Sequence, residues 1–355
     1  MKTTTYTLEL LTPCFCAGAD QSKAEIRAPA IRGQLRWWFR ALGGFASLNH
    51  LPLAEQEATI FGSAAGDEGT ASPLVIRVSA LTSNVAKDAD QMGAPILSDK
   101  GYLLFPLRSN PRRNEYKGRG VLENGTFSIT IVWRGAPDIW PDIGALISVF
   151  GHLGALGFRS RRGFGALSFS KKAPPLCLQD SLNRFSNSGQ ALSIRQVSVT
   201  TNLPDEALRQ LGKWLKGWRS HGRTIDHRQA QPGSGLPPYN DGFKYAEADH
   251  DAGYGLNHTG PTYRAALGLP IIQRCDGTTN NWELTARRGE GRFASPVLLR
   301  PHRTAQGQIV PLVIFVDAHA WPANHRVYLN GTERTVSLDL YHAMKADPKL
   351  APFPA

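Results

Sequence analysis

The order of hydrophobic periods along the chain constrains its fold more than any other feature. A two-residue period is typical of strands, and a period near 3.6 is typical of helices. Strand-like segments are 4–11, 74–81, 102–107, 126–133 and 164–170, and helical segments are 30–42 and 142–156. Apart from one extra strand-like segment between the two helices, the strand, helix, strand, strand, helix, strand order is the βαββαβ pattern of a ferredoxin-like, RRM-like domain.

A second cycle follows. Strands are predicted at 194–201, 267–272, 296–299 and 309–317, and helices at 204–218 and 338–344. Residues 229–262 are rich in Gly, Pro, Asn and Asp, and we predict a loop insertion there. A chain of 355 residues also exceeds a typical single domain. The predicted fold is α+β, with two tandem ferredoxin-like domains at 1–175 and 190–355 and long loop insertions.

The charge balance favours a polyanionic partner. Forty basic residues against 29 acidic ones give a net charge of +11. Such a field attracts nucleic acid or, with less support, an anionic membrane surface. No stretch is long and apolar enough for a membrane span, and the N-terminus has no long apolar core of a signal peptide. We therefore expect a cytoplasmic protein that does not bind membranes.

Motifs for metal binding or catalysis are missing from the sequence. The cysteines, Cys14, Cys16, Cys177 and Cys275, do not form two closely spaced pairs, and we expect reduced thiols rather than zinc ligands. There is no HExxH or GxSxG motif. We expect no metal, no cofactor and no enzymatic activity, with His152 the best candidate for a general acid or base.

The helical segment 30–42 carries a row of arginines beside its apolar face. The apolar residues are Ile31, Leu35, Trp38, Phe39 and Leu42. Arg32, Arg36 and Arg40 fall together on the next sector, roughly 6 Å apart, which approximates successive phosphates. Arg27 extends the row, and Trp37 is predicted nearly opposite the apolar face. Contact with RNA is favoured over a solvated face paired with acids, and Trp37 either stacks on a base or packs on a neighbouring domain or subunit.

The segment 157–172 is a glycine loop with five basic residues and no acidic one. Glycines let the backbone approach a ligand closely, and arginines offer bidentate contacts to phosphate. The loop lacks a GK[ST] sequence, and it leads from helix to strand, so it is neither a Walker loop nor a Rossmann loop. A loop that holds a nucleic-acid backbone is favoured over a surface hairpin with incidental charge.

Several of these segments carry a family resemblance. The runs LTPCFCAG at 11–18, EIRAPAIRGQLRWWFRAL at 25–42, EATIFG at 57–62, the SRRGFG core of 156–167 and RAALGLP at 264–270 resemble RAMP proteins of the CRISPR Cmr module, most closely the family of its first-named subunit. The resemblance implies tandem ferredoxin-like RAMP domains and membership of a type III-B effector complex. It also implies guide RNA (crRNA, 3′ region) and target single-stranded RNA as partners, with other Cmr subunits, in antiviral defence.

The sequence thus predicts a non-catalytic RNA-binding subunit. The predicted RNA-binding residues are Arg27, Arg32, Arg36, Trp37, Arg40, Gly157, Arg159, Ser160, Arg161, Arg162, Gly163, Gly165 and Arg264. Two alternatives stay open. One is a metal-independent RAMP endoribonuclease that processes the guide precursor, using His152 with a tyrosine. The other is an architectural subunit whose basic faces dock partner proteins.

Overall fold

The computed structural model of the chain describes residues 1–20, 23–64, 69–83, 85–86, 99–104, 120–170, 176–219, 242–255, 259–273, 282–287, 291–321 and 325–354. The helices are α1 (Ala28–Ala41), α2 (Leu53–Phe61), α3 (Asp99–Leu104), α4 (Trp140–Leu153), α5 (Leu178–Leu182), α6 (Ser188–Ala191), α7 (Pro204–Arg219), α8 (Phe243–Gly253) and α9 (Asp339–Lys345). The strands are β1 (Lys2–Leu10), β2 (Leu74–Thr82), β3 (Val85–Ala86), β4 (Val121–Leu122), β5 (Gly125–Trp133), β6 (Leu167–Phe169), β7 (Leu192–Val197), β8 (Ile271–Gln273), β9 (Trp282–Thr285), β10 (Val297–Arg303), β11 (Ile309–Val316), β12 (Arg326–Leu329), β13 (Thr332–Thr335) and β14 (Leu350–Pro352).

The first sheet has the order β2-β5-β1-β6. Its pairs are antiparallel, with Lys2 opposite Trp133 at one end of the β1–β5 ladder and Leu10 opposite Gly125 at the other. Phe127, Ile129 and Ile131 alternate along β5 and are fully buried, as a half-buried strand requires. In chain order the elements are β1, α1, β2, β5, α4 and β6, so the helices connect strands that are not neighbours.

The second sheet repeats this arrangement of strands. Its order is β10-β11-β7-β14, and β7 pairs antiparallel with β11. Helix α7 lies in the chain between β7 and β10, and α9 lies between β11 and β14. Every residue of β11 is buried. The α+β class with antiparallel sheets is therefore confirmed.

The chain divides into two compact units. Unit 1 comprises residues 1–211, 298–318 and 351–355, and unit 2 comprises 212–297 and 319–350. Contacts rather than chain order define the division, because most of the second sheet belongs to unit 1. The core of unit 1 combines Ile31, Leu35 and Phe39 of α1 with residues of both sheets, including Leu312 and Ile314.

Unit 2 contains a smaller antiparallel sheet of order β13-β12-β9-β8. Its interior is partly polar. The indole nitrogens of Trp214 and Trp218 both donate to Oδ2 of Asp347, at 2.8 and 2.6 Å. The buried Asp347 carboxylate is therefore held by two indole hydrogen bonds that join α7 to the end of α9.

Two secondary-structure predictions are wrong. Residues 99–104 form helix α3 where a strand was predicted at 102–107, and 105–107 lie outside the described residues. A short apolar run does not distinguish helix from strand. Helix α8 occupies part of the predicted loop insertion 229–262, of which 229–241 and 256–258 lie outside the described residues. Its buried face includes Tyr245 and Ala252, but the helix has so many polar residues that the sequence shows no clear helical repeat of apolar ones.

In the described part of the chain, no helix combines the length and the hydropathy needed to cross a membrane. Over the same residues, no group of three His, Cys, Asp or Glu side chains is placed to hold a metal ion. Cys14, Cys16 and Cys177 are free thiols.

Candidate nucleic-acid interface

Helix α1 begins at Ala28 with Pro29 in its first turn, and its apolar stripe fixes its rotation. Ile31, Leu35, Trp38 and Phe39 are all buried, as the sequence predicted. Because these residues point into the core, the polar residues of the helix divide between its two sides. One side carries Arg32, Arg36 and Arg40, and the other carries Gly33 and Trp37.

The arginine row meets an acidic residue from α2. The guanidiniums of Arg36 and Arg40 both donate to the carboxylate of Glu57, which is buried. The hydrogen bond from Arg40 is the main cause that lowers the pKa of Glu57, and the same hydrogen bond raises the pKa of Arg40. Two guanidiniums share one carboxylate, so the group of three side chains keeps a net positive charge. The Arg36 and Arg40 side chains are 43% and 51% exposed.

Arg32 is bound differently. Its Nη2 donates to the carbonyl of Leu74 at 2.6 Å, so its side chain lies against the start of β2. The whole row therefore faces α2 and β2. Its guanidiniums contact protein groups as well as solvent. The carboxylate of Glu57, 17 to 21 residues away in the chain, relieves the repulsion between the positive charges of the row.

The other side of α1 meets a turn that we call the arginine turn, residues 157–165. Its backbone runs through the left-handed region at Gly157, Arg159, Gly163 and Gly165. A side chain at Gly165 would bring Cβ within 2.0 Å of the Leu156 carbonyl oxygen, so only glycine fits there. The turn is closed by Arg162 N–H, which donates to the Arg159 carbonyl at 2.8 Å.

Arg161 connects the turn to the helix. Its guanidinium carbon lies 4.9 Å from the centroid of the Trp37 ring, within cation–π distance. Trp37 also makes an edge-on contact with Trp38, with ring centroids 4.9 Å apart. It is half-buried and packs on the core, which corrects the prediction that it lies opposite the apolar face. Burial lowers the pKa of Arg161.

A cleft of about 330 Å³ opens between α1 and the arginine turn, and we call it the helix–turn cleft. Its lining residues come from α1, the end of α4, the arginine turn and β10: Gly33, Gln34, Trp37, Trp38, Leu153, Ala155, Ser160, Arg161, Leu298, Leu299 and Arg300. All of them belong to unit 1. The cleft thus combines aromatic residues with Arg161 and Ser160 of the arginine turn, while the Arg300 side chain is buried in its wall.

A second cleft, of about 220 Å³, lies toward the start of α1. Arg27, Gly157 and Phe158 are among its lining residues. Arg27 forms an ion pair with Glu25 at 3.3 Å and stays half exposed. The Phe158 ring is 44% exposed, so an apolar side chain stands at the surface beside a cation.

Other members of the predicted set do not reach this surface. Arg162 is buried, although it follows Arg161 directly, and Gly163 and Gly165 are buried within the turn. A Cβ at Gly163 would meet Leu208 at 2.5 Å, so this glycine serves packing. Arg159 is half-buried, and its Nε donates to the Leu103 carbonyl at 2.7 Å. Lys171 and Lys172, which belonged to the predicted basic loop, lie outside the described residues.

Arg264 lies in the interior of unit 2. Its Nε is 3.2 Å from Oδ2 of Asp249, and both side chains are buried. Asp249 also accepts the backbone N–H groups of Tyr263 and Arg264, at 2.9 and 2.8 Å, and burial raises its pKa. The prediction of Arg264 as an RNA contact is therefore not met, because its guanidinium pairs with the buried carboxylate of Asp249.

The sequence did not indicate a role for Arg300. It also did not indicate that Arg300 and His302 lie beside His152. His302 Nδ1 lies 3.2 Å from the His152 carbonyl oxygen, and the two rings are 5.8 Å apart. Burial, and then the charge of Arg300, lowers the pKa of His152 to about 4 and that of His302 to about 3. Within the described residues, no hydrogen-bond partner is found for the buried His152 Nε2. The polar alternation at Arg300 and His302 in an apolar strand was the available signal.

Comparison with known proteins identifies the family. Residues 7–168 match the RAMP superfamily. The chain is 30% identical over 186 residues to the CRISPR system Cmr subunit Cmr1-2 of Pyrococcus furiosus, covering 46% of this chain and 92% of that subunit. It is 28% identical over 231 residues to subunit Cmr1-1 of the same organism, covering 58% of this chain and 60% of that subunit.

A solved structure is similar in fold. The apo crystal structure of Cmr1 from Pyrococcus furiosus matches with a TM-score of 0.53 and 17% identity, over 91% of this chain and 90% of that one. A weaker match, with a TM-score of 0.45 and 12% identity, is a chain from type III-B Cmr-beta bound to cognate target RNA and AMPPnP. Because a relative 30% identical is aligned over nearly all of its length, this chain belongs to the RAMP superfamily, in the family of the Cmr1 subunits of CRISPR systems.

Proposed function

We propose that this chain is a non-catalytic RNA-binding subunit of a type III-B CRISPR effector complex, which contacts guide RNA in its 3′ region, target RNA or both. Its other partners are the remaining Cmr subunits, and its place of action is the cytoplasm. The observation that carries the proposal is the contact of Arg161 with Trp37, which brings the arginine turn and helix α1 together at one cleft.

The chemistry of this surface suits a single strand of RNA. Arg27 and Arg161 supply positive charge, and the exposed Phe158 and half-buried Trp37 supply aromatic surface. Proteins that bind single strands combine such cations with stacking side chains. Backbone contacts of this kind read charge and shape rather than sequence, so we expect little sequence preference.

The arginine row on the other side of α1 contributes a second set of cations. Arg36 and Arg40 keep a net positive charge after pairing with Glu57, and about half of each side chain is exposed. We include Arg32, Arg36 and Arg40 in the interface. Their charges attract RNA at long range, and they contact the phosphates of a strand that passes along α1.

We also propose that both four-stranded sheets of unit 1 are ferredoxin-like. In each sheet the third strand of the cycle lies between the first and second, and the fourth lies beside the first. A helix separates the first strand from the second and the third from the fourth. This is the arrangement that the βαββαβ pattern predicts for a tandem RAMP chain.

The proposal of a non-catalytic role rests on His152. A general acid or base must lie within hydrogen-bond reach of the group that it serves. The Nε2 atom of His152 is buried, Arg300 lies beside the ring, and His302 contacts it from β10. This position supports a role in packing rather than in proton transfer to an RNA strand.

The test is the affinity for single-stranded RNA as a function of salt. Each phosphate contact adds about 0.7 to the slope of log K against log salt for single strands. We expect Arg36→Ala with Arg161→Ala to weaken binding and to flatten this slope by about 1 to 1.5. The matched control is Arg209→Ala with Arg326→Ala, which removes the same charge from two exposed arginines that are paired with Glu206 and Glu333.

An unchanged affinity and slope in the Arg36/Arg161 variant, or equal losses in both variants, would refute the assignment of the interface. Isolated RNA binding weaker than about 10⁻⁴ M at physiological salt favours the architectural subunit instead. The endoribonuclease is tested by incubation with repeat RNA without metal, where cleavage that is lost in His152→Ala would favour the enzyme.

A further inference from the structure

Two cysteines lie beside the arginine turn on an extended segment of the chain. Cys14 pairs with Leu122 in an isolated antiparallel bridge, and Phe15 pairs with Phe158 in another. In extended backbone, residues two apart point to the same side, with Cα atoms about 6.6 Å apart. Disulfides span Cα separations of about 4.4–6.8 Å. The spacing of Cys14 and Cys16 therefore allows a bond between their sulfur atoms.

The two thiols differ in access. Cys14 is fully buried, and its Sγ donates to the Leu156 carbonyl at 3.4 Å. Cys16 lines the second cleft, of about 220 Å³, together with Arg27 and Phe158. A water molecule takes up only about 30 Å³ of the liquid, so a molecule as small as hydrogen peroxide fits this cleft. A small oxidant therefore reaches Cys16 before Cys14.

The two thiols also differ in acidity. The hydrogen bond between the two side chains is the main cause that lowers the pKa of Cys16 and raises the pKa of Cys14. Burial raises the pKa of Cys14 further, whereas backbone hydrogen bonds at Glu25 and at Cys16 itself help to lower the pKa of Cys16 against the effect of burial. Because the thiolate is the nucleophile, Cys16 is the residue that attacks an oxidant.

The segment that carries these cysteines also holds both ends of the arginine turn. The N–H of Phe158 donates to the Phe15 carbonyl at 2.8 Å. The N–H of Gly165 donates to the Pro13 carbonyl at 2.9 Å. A change in the backbone of 14–16 is therefore transmitted to the turn through its own hydrogen bonds.

Close packing at Gly157 strengthens this connection. A Cβ at Gly157 would lie 2.5 Å from the Phe15 carbonyl oxygen and 3.2 Å from Sγ of Cys14. Oxidation of Cys14 also removes the S–H that it donates to the Leu156 carbonyl. The Cys14 sulfur cannot change its bonding without disturbing the start of the turn.

We propose that Cys14 and Cys16 form an oxidative modification site, at which a peroxide produces a disulfide that loosens the arginine turn. The Cys16 thiolate attacks one oxygen of hydrogen peroxide, the O–O bond breaks and hydroxide leaves, so Cys16 becomes a sulfenic acid. The Cys14 sulfur then attacks the Cys16 sulfur. The S–O bond breaks, and water leaves with the proton from Cys14. In sum, two thiols lose two electrons and two protons, and one peroxide becomes two water molecules.

The modification is reversible. The disulfide closes a ring over one intervening residue, so loop closure adds little to its stability. Thiols such as glutathione reduce accessible bonds of this kind by exchange through a mixed disulfide. The expected consequence, that the oxidised chain binds RNA about tenfold more weakly, rests on the proposed function. The disulfide and the loosened turn do not depend on that function.

The test uses the full chain with Cys177→Ser and Cys275→Ser, which leaves only the pair. Serine keeps the helix cap at 177, where the Cys177 sulfur accepts from the Asp180 N–H, and Cys275 lies outside the described residues. After treatment with hydrogen peroxide, the intact mass should fall by two hydrogen atoms, and dithiothreitol should restore it.

The order of the two steps is tested with dimedone, which labels sulfenic acids. With peroxide and dimedone present, Cys14→Ser should be labelled, because the sulfenic acid at Cys16 then has no thiol to resolve it. Cys16→Ser should not be labelled, because Cys14 is buried. The mass change in the unsubstituted pair needs neither variant, so it decides the inference even if one of them fails to fold.

Trypsin reports on the turn, since it cleaves after Arg159, Arg161 and Arg162. We expect oxidation to speed cleavage at these sites about tenfold, because a loosened turn opens more often. Cleavage after Arg326, which lies in unit 2, is the internal control and should not change. In Cys16→Ser, peroxide should change neither rate.

The outcomes separate this inference from the proposed function. Thiols that survive peroxide, a disulfide that leaves cleavage of the turn unchanged, or dimedone labelling of Cys16→Ser alone would overturn the inference, while RNA binding by the reduced chain would still support the proposed function. If the disulfide forms and the turn loosens but neither state binds single-stranded RNA, the modification site stands and the RNA-binding function is refuted. Equal RNA affinity in the two states, with a loosened turn, leaves the modification site in place and refutes the assignment of the turn to the interface.

Discussion

The guanidinium carbon of Arg161 lies 4.9 Å from the centroid of the Trp37 ring. This contact joins a helix and a turn that are separated by more than 100 residues in the chain, and it places both at one cleft. The contact orients Arg161. The attraction between a cation and an indole face stabilises this side-chain orientation by about 0.5–2 kcal/mol. The surface near the cleft is therefore preorganised for an anion.

Replacement of Arg161 by lysine should separate charge from geometry. Lysine keeps the positive charge but lacks the planar fork that stacks on Trp37 and binds phosphate at two points. We expect Arg161→Lys to weaken single-stranded RNA several-fold with a nearly unchanged salt slope, and to change stability by less than about 1 kcal/mol. Fluorescence anisotropy and urea denaturation measure the two quantities. Wild-type affinity in this variant would contradict the role of the stacked guanidinium.

Removal of Glu57 should release the arginine row. In Glu57→Gln, Arg36 and Arg40 lose the carboxylate that they share, so we expect tighter binding of single-stranded RNA and a steeper salt slope. The buried pair also contributes to stability, and the variant should be less stable by about 1–3 kcal/mol at neutral pH. If the row plays no part in binding, affinity stays at the wild-type value in the folded variant.

The sign of the pH effect at Glu57 is fixed by its lowered pKa. A carboxyl whose pKa is lowered in the folded state stabilises the protein above its ordinary pKa, and this contribution is lost as pH falls through the lowered value. The stability difference between wild type and Glu57→Gln should therefore shrink on acidification below about pH 4. A difference that grows on acidification would contradict the pairing.

His152 and His302 should make unit 1 sensitive to acid. Their pKa values in the folded state are about 4 for His152 and about 3 for His302, below the ordinary value, so the unfolded chain binds more protons in the interval. Stability should fall as pH drops from about 6.5 toward 4, by up to about 1.4 kcal/mol per pH unit for each histidine. His302→Gln should flatten this dependence in urea denaturation. An unchanged slope would show that His302 is not buried in its neutral form.

Arg264 should matter for stability and not for RNA. Its guanidinium and the Asp249 carboxylate are both buried in unit 2, and loss of one partner leaves the other charge uncompensated. We expect Arg264→Ala to destabilise the protein by about 3–5 kcal/mol. The exposed Arg326, paired with Glu333, is the control, since Arg326→Ala should cost less than about 1 kcal/mol.

RNA affinity of the folded fraction of Arg264→Ala, measured at low temperature, should equal that of the wild type. A specific loss of RNA affinity with unchanged stability would instead support the surface role that the sequence suggested for Arg264.

Periodicity accounts for what the sequence predicted well. Ile31, Leu35 and Phe39 repeat at helical spacing, and all three are buried on one face of α1. The alternation of Phe127, Ile129 and Ile131 in β5 likewise marks its inward side. Local patterns of this kind depend on neighbours within one element, so a single sequence carries them.

The site depended on contacts that no local pattern records. Glu57 reaches the arginine row from another helix, and Arg300 reaches the cleft from a strand of the second sheet. The turn has no period, so adjacent arginines could not be separated by sequence alone. Arg161 lines the cleft and Arg162 is buried because the left-handed residues of the turn set each side chain's direction.

The most direct test of the account is a photo-crosslink from the edge of the proposed surface. A benzophenone amino acid is placed at Phe158, which is 44% exposed beside Arg27, and separately at Leu203, which is 65% exposed before α7. With single-stranded RNA bound, we expect strong crosslinking from position 158 and only background from position 203. Crosslinking at 158 no stronger than at 203, in a chain that binds RNA, would contradict the claim that RNA lies along α1 and the arginine turn.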